Sequence, residues 1–264
     1  MFEGYGGATR ILPIVGDPIA QVKAPAGLSR AFRAAGFDRL VVPFQVAPAD
    51  IAGFFAAMDR AANVDGLLAT VPHKFAALRH AATASDRARR LGAANVLRRK
   101  PAGWHADMLD GLAFVRAIER AGFRPAGKRG LLVGAGGAGS AIGLELLNAG
   151  LAKLAIHDSD AERAVALAAR LAAAYPGRVA IGSADPSGHD LIVNATPAGM
   201  RADDPLPVQG DKLRPGMFVG EVITLPEVTP LLAAARALGC ATATGVDMFE
   251  ASIALMLAFF TAGD

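Results

Sequence analysis

Residues 129–160 read RGLLVGAGGAGSAIGLELLNAGLAKLAIHDSD, and their order decides the fold. Leu131, Leu132 and Val133 make the short apolar run of a buried parallel strand. Gly134, Gly136 and Gly139 follow in G-x-G-x-x-G spacing, with Ala135, Gly137 and Ala138 completing the turn. Ala141, Ile142, Leu144, Leu146 and Leu147 then continue as a helix that Gly150 stops. A second apolar run, 154–156, leads to Asp158. Strand, glycine turn, helix, strand and acid in this order form the dinucleotide-binding fingerprint of a Rossmann-like α/β fold.

Each part has a physical reason. Gly134 permits the tight turn, Gly136 lets the backbone approach a pyrophosphate, and Gly139 removes a side chain where helix and sheet pack closely. The helix start offers unpaired N–H groups and a positive dipole end to phosphates. Asp158, with Ser159 beside it, stands where a carboxylate accepts from a ribose 2′-hydroxyl and repels a 2′-phosphate. No arginine follows at once, so the expected cofactor is NAD, with NADP second.

Working outward, the 264 residues suffice for one large or two modest domains. A chain that is 53% hydrophobic and 19% charged is not disordered. One cysteine, Cys240, excludes a disulfide framework; it reads as a small buried hydrophobe late in a helix. The N-terminus lacks a signal-peptide pattern, and the apolar run 253–260 is too short to span a bilayer. The expectation is a soluble cytoplasmic protein. Arg87, Arg89, Arg90, Arg98, Arg99 and Lys100 form a basic cluster, but no aromatic residues interleave it, so it reads as a solvated face and not a nucleic-acid surface. No His, Cys or carboxylate group has metal-ligand spacing, and no metal is expected.

From the N-terminus, strands are expected at 11–15, 40–44 and 66–71, and helices at 26–35, at 51–61 capped by Asp50, and from about 75. Residues 92–96 start a short strand that pairs with 104–107, and Asp110-Gly111 opens a helix to about 121. Residues 1–109 therefore form an α/β unit of their own, and 110–245 the dinucleotide-binding domain. Beyond Asp158 come a helix at 161–173 and strands at 179–181, 190–193, 217–222 and 241–244. Asn194, Ala195, Thr196 and Pro197 make a polar strand end beside the place for a dinucleotide. A helix covers 229–237, and an apolar one, about 248–261, closes the chain.

Taken together, VGDPIAQVKAP (15–25), TVPHK (70–74), GAANV (92–96), DGLAFV (110–115), GAGGAG (134–139), DLIVNATPAGM (190–200), PEVTPLL (226–232) and GVDMFEA (245–251) resemble the shikimate dehydrogenase family, including its quinate-using relatives. The similarity runs from Ile14 to the end. It implies a substrate domain over 1–109, with 246–264 packing back onto it, and a nicotinamide cofactor. It also implies a small anionic hydroxy acid as substrate, and a monomer or homodimer. Lys74 matches the family's catalytic lysine and Asp110 its aspartate; Thr70 and Asn95 match substrate-side positions. Met200, Val222 and Gly245 fall beside the cofactor by the same resemblance.

Other positions depart from the pattern. The hydroxyl pair of S-x-S-P is replaced by Gln21 and Lys23, and the last helix's glutamine by Ser252; these three stand at substrate positions. Leu68-Ala69-Thr70 stands for N-V-T, Met108-Leu109-Asp110-Gly111 for N-T-D-G, and Glu221 for an aspartate with Thr224 for a tyrosine. The cofactor motif N-R-T becomes Asp158-Ser159-Asp160. Oxidising a secondary alcohol sends a hydride to the cofactor and requires the hydroxyl proton to leave, and a positioned base is worth about 10²–10⁴-fold in rate. Lys74 would take or relay that proton, and Asp110 would orient it and balance its charge. His73, next to Lys74, is expected to point to the opposite face and has no catalytic role. The competing reading is a nucleotide-binding sensor that has lost turnover; retention of both Lys74 and Asp110 favours the enzyme.

Overall fold

In the first sheet β1 (Arg10–Gly16) lies between two parallel neighbours, β2 (Arg39–Gln45) and β3 (Gly66–Ala69). The structure is a computed structural model describing residues 4–201 and 203–262. Helices α1 (Ala24–Ala34) and α2 (Ile51–Arg60) make the connections between these strands. After β3 the chain forms α3 (Lys74–His80), β4 (Thr83–Ala84) and α4 (Asp86–Leu91), then the antiparallel pair β5 (Val96–Lys100) and β6 (Gly103–Asp107). The sheet order is β2-β1-β3-β5-β6-β4. Since β5 runs against β3 and β6 against β5, the ends of β1, β3 and β6 and the start of β5 share one edge. Leu12, Leu28, Phe32, Leu67, Leu68 and Leu97 fill the core here.

The second sheet is wholly parallel. Helix α5 (Asp110–Arg120) precedes β7 (Arg129–Val133), α6 (Gly137–Asn148), β8 (Lys153–His157), α7 (Ala161–Ala174) and β9 (Val179–Ile181). Then come β10 (Leu191–Asn194), β11 (Phe218–Glu221), α8 (Pro230–Ala237) and β12 (Ala241–Ala243). The order β12-β11-β10-β7-β8-β9 reverses direction between β7 and β10, and this doubly wound arrangement places a ligand crevice at the strands' carboxyl ends. Helix α9 (Gly245–Thr261) ends the fold. Two compact units result, Met1–Leu109 with Ile253–Asp264 and Asp110–Ser252, so the last helix returns to the first unit from Ile253 onward. Residues 1–3 and 263–264, at the outer ends of the expected spans, lie outside the described residues. No helix among the described residues is long and apolar enough to cross a membrane.

Several local expectations change. Helix α1 starts at Ala24 and α9 at Gly245, each earlier than expected. Asp50 precedes α2 without a side-chain capping bond. Cys240 is buried, but it lies in the link before β12 and not in a helix. The basic cluster is a solvated face only at Arg89, Arg90 and Lys100, which are exposed. Arg99 lies over the Trp104 ring, 4.5 Å from its centroid, and donates to the Met58 and Val64 carbonyls. Arg98 donates to the Phe259 carbonyl at 2.8 Å, tying β5 to α9.

Arg87 pairs with buried Asp107 at 2.8 Å, and Ser85 Oγ and the Met108 N–H also donate to that carboxylate. Burial alone would push the Asp107 carboxyl up, but the Arg87 and Ser85 hydrogen bonds and the Arg87 charge outweigh it and hold the carboxyl below its ordinary range. A depressed folded-state value gives stability that is present above the unfolded value and lost as pH falls through the folded one. Arg87→Met raises the folded value, so acid unfolding followed by circular dichroism is expected to begin at higher pH. Loss of the charge-assisted bond is expected to cost about 1.5–3 kcal/mol at neutral pH. An unchanged acid midpoint would show that the pair is idle.

Candidate active site

At the shared edge of the first sheet, the chain leaves β1 at Gly16 and β3 at Ala69. Their loops touch: a Cβ on Gly16 would lie 2.5 Å from Thr70 Cγ2, and the Asp17 N–H donates to the Val71 carbonyl at 3.0 Å. Thr70 is half-buried, and its carbonyl accepts from the His73 N–H at 2.7 Å. That bond turns the chain into α3, so Lys74 is the first residue of a helix and not the end of a strand. Lys74 is half-buried. His73 is buried and bonded through Nε2 to the Val46 carbonyl at 2.7 Å.

The segment Ala94-Asn95 crosses the same edge. The Ala94 N–H donates to the Lys74 carbonyl at 2.9 Å, and buried Asn95 accepts from the Leu109 N–H through Oδ1 at 2.9 Å. Two adjacent residues therefore fix the backbone of Lys74 and that of the residue preceding Asp110. Asp110 is half-buried and opens α5. Gln21 and Lys23 lie in the turn from β1 to α1, and both are exposed. Gln21 Nε2 donates to the Pro18 carbonyl at 3.0 Å, while Lys23 occupies the N-cap position of α1 without a side-chain cap. Ser252 is buried within α9.

In the second unit the glycine turn divides into two kinds of position. Gly134 has φ +101°, and a Cβ there would lie 2.8 Å from the Ala195 carbonyl; a Cβ on Gly139 would lie 1.9 Å from the Gly134 carbonyl oxygen. These two are required by the protein's own packing. Gly136 and Gly137 are exposed, with nothing within 4 Å of a built Cβ, and Gly136 is the N-cap of α6. The protein gives no internal reason for glycine at either place, whereas a pyrophosphate approaching the helix start does. The residues present thus fit a bound dinucleotide. Ala135 and Ala138 complete the turn, half-buried.

Beside the turn stands the end of β10. Asn194 is fully buried and its amide is engaged inside the protein: Oδ1 accepts from the Thr196 N–H at 3.0 Å and hydroxyl at 2.6 Å, and Nδ2 donates to the Ala198 carbonyl at 3.0 Å. Asn194 accordingly shapes the loop that carries Ala195, Thr196 and Pro197. Met200, 56% exposed, follows on the same loop. Val222 is half-buried at the end of β11, and Gly245 packs against it: a Cβ on Gly245 would lie 2.6 Å from the Val222 carbonyl carbon. Ser159 is exposed and His157 half-buried. Among the described residues no group of three or more His, Cys, Asp or Glu gathers to hold a metal ion.

Asp158 has a use that its sequence position does not reveal. Its Oδ2 accepts from the Ala135 N–H at 2.7 Å and its Oδ1 from the Asp160 N–H at 2.9 Å. Burial would raise this carboxyl, but those backbone donors outweigh it and hold it below its ordinary range. The acid closes the glycine turn, and turn closure accounts for its presence without a ribose.

Residues 14–97 match the family model of the shikimate dehydrogenase substrate binding domain. A shikimate dehydrogenase (NADP(+)) of Maricaulis maris is 37% identical over 92% of this chain and 86% of its own length. Further relatives at 33–36% identity carry the same name. A crystal structure of a shikimate dehydrogenase in complex with NADP+ superposes with a TM-score of 0.92 at 26% identity, covering 98% of this chain and 92% of that one. A quinate dehydrogenase from Corynebacterium glutamicum in complex with NAD superposes with a TM-score of 0.87 at 29% identity, covering 96% and 94%. The NADP(+) names of the relatives overturn the expected preference for NAD, which rested on Asp158 and the absent arginine.

Proposed function

Because the chain belongs to the shikimate dehydrogenase family, we propose that it oxidises a secondary alcohol of a small hydroxy-carboxylic acid, shikimate- or quinate-like in shape, with NADP as cofactor. The observation that carries this reading is the paired backbone anchoring at Ala94 and Asn95, which holds Lys74 and the residue before Asp110 by two bonds of 2.9 Å. When bound, the nicotinamide cofactor supplies the hydride acceptor. Lys74 Nζ takes the proton from the alcohol oxygen while the carbinol carbon gives up its hydrogen as hydride, which together leave a ketone, and Asp110 orients the lysine and balances its charge. Gly136 and Gly137 leave room for the pyrophosphate at the start of α6.

Lys23 is the proposed anchor for the substrate's carboxylate. Its ammonium belongs to the N-cap residue of α1, where the positive dipole end adds to its attraction for an anion. Lys23→Met keeps the stem and removes the charge. The Michaelis constant for the acid is expected to rise about tenfold, roughly 1.4 kcal/mol, with that for the corresponding amide unchanged. An equal effect on acid and amide would reject Lys23 as the anchor.

A screen of cyclic and acyclic hydroxy acids with NADP+ and NAD+, following the absorbance of the reduced nicotinamide, tests the whole reading. Turnover of at least one acid with NADP+ is expected. A protein that binds the dinucleotide but oxidises none of them would overturn the dehydrogenase assignment.

A further inference from the structure

Glu221 is fully buried at the last position of β11, in register with Asn194 at the last position of β10. Its carboxylate receives only donors. Asn194 Nδ2 reaches both oxygens, at 3.1 and 3.0 Å; the Val222 and Ile223 N–H groups reach Oε1 at 2.9 and 3.2 Å; and the Thr229 hydroxyl reaches Oε2 at 3.1 Å. Four of these five contacts come from N–H groups, which can only donate, and the fifth from the Thr229 hydroxyl. Burial pushes the carboxyl up, and the hydrogen bonds from Asn194, Ile223, Val222 and Thr229 counter only part of that push. An apolar replacement of Glu221 alone would strip the acceptor from the Asn194 amide and the Val222 and Ile223 N–H groups, so the carboxylate exerts positional control over its donors.

The control acts where the sheet ends. Beyond the pair Asn194–Glu221 the ladder stops and the two chains diverge into loops. Glu221 substitutes for the missing rungs: it fixes Val222 and Ile223 on its own side, and through Asn194 it fixes Thr196 and the Ala198 carbonyl on the other. Both loops then press on their neighbours. Ala195 and Thr196 lie against Gly134, where a Cβ would meet them at 2.8 and 2.9 Å, and Ile223 lies against Gly245, where a Cβ would meet its carbonyl at 2.2 Å. A shift at Glu221 is therefore passed to the glycine turn on one side and to the start of α9 on the other, with no slack in either contact.

We infer that Glu221 is a positioning residue for the cofactor: its carboxylate cross-links the loop after β10 to the loop after β11 and so sets the walls against which the dinucleotide binds. This inference rests on the proposed dinucleotide site. Glu221→Gln keeps the shape but turns an amide donor toward Asn194 Nδ2, and Asn194 cannot flip without losing both Thr196 bonds. Glu221→Asp keeps an acceptor-only group and shortens its reach by one methylene.

The test is the dissociation constant of NADPH, read by its fluorescence on purified protein, together with the melting temperature and the separate kcat and KM values. The Gln variant is expected to bind NADPH about tenfold more weakly and the Asp variant about threefold, with the substrate's KM at saturating cofactor within twofold of wild type. Wild-type NADPH affinity in the Gln variant would overturn the inference, whatever the change in melting temperature. If the Gln variant does not fold, wild-type affinity in the Asp variant overturns it equally. Wild-type protein that binds no dinucleotide would overturn the site itself, a result distinct from either.

Discussion

Lys74→Met is expected to lower kcat by about 10²–10⁴-fold, the range that a positioned general base contributes, while NADPH affinity and the substrate's KM stay within a few-fold of wild type. The lysine's structural duty is carried by its backbone, whose carbonyl accepts from Ala94, so the side chain can be changed without freeing that anchor. Methionine matches the length of the stem and lacks the amine, which makes the loss of the amine the main chemical change. A group that acts on the proton in the transition state lowers kcat and kcat/KM together, whereas a group that merely binds substrate raises KM. Asp110→Asn offers a comparison, since it keeps the shape and removes the charge that balances protonated Lys74. A Lys74→Met enzyme with near-wild-type kcat would show that the lysine is an ordinary residue at the start of a helix and that the proton leaves by another route.

How far the fold was legible depended on how local each signal was. The run Leu131–Val133, the glycine turn and the next run at 154–156 identified β7, α6 and β8 because each is bounded by glycine or a charged residue within a few positions. The short pair β4 and α4 goes beyond the sequence expectation although Ser85 and Gly92 carry ordinary helix signals: Ser85 accepts from the Ala88 N–H and Gly92 takes the left-handed conformation. The arginines between them, Arg87, Arg89 and Arg90, carry the pattern of a solvated face and mask the helix. Partners far apart in sequence were hidden altogether. Asn194 reads as a ligand contact until Glu221, on the next strand, is seen to hold it. Asp158 reads as a cofactor selector until the Ala135 N–H is found on its carboxylate. In both cases a polar residue at a strand end satisfies the backbone of a neighbouring loop, a demand that only the sheet order reveals.

The glycine turn offers the sharpest separation of folding from binding, because two of its members serve the protein and two leave space for a ligand. Gly139→Ala places a methyl group 1.9 Å from the Gly134 carbonyl oxygen, which is backbone on a turn with φ +101° and cannot rotate away. Helix α6 or the turn must move, at the roughly 1–3 kcal/mol typical of overpacking, and the melting temperature is expected to fall together with NADPH affinity. Gly136→Ala differs. Its φ of −73° suits any residue, nothing lies within 4 Å of the new methyl, and fixing the unfolded chain by this change commonly adds about 0.4–1 kcal/mol of stability. The methyl nevertheless stands at the start of α6, where the pyrophosphate must approach the backbone. Steric exclusion of the same 1–3 kcal/mol converts to a NADPH dissociation constant raised roughly ten- to hundredfold, at about 1.4 kcal/mol per decade. The expected pair of results is a weakened fold with weakened binding for Gly139→Ala, and an intact or firmer fold with weakened binding for Gly136→Ala. Wild-type NADPH affinity in the Gly136→Ala protein would mean that the open space over the turn is not where the phosphates lie.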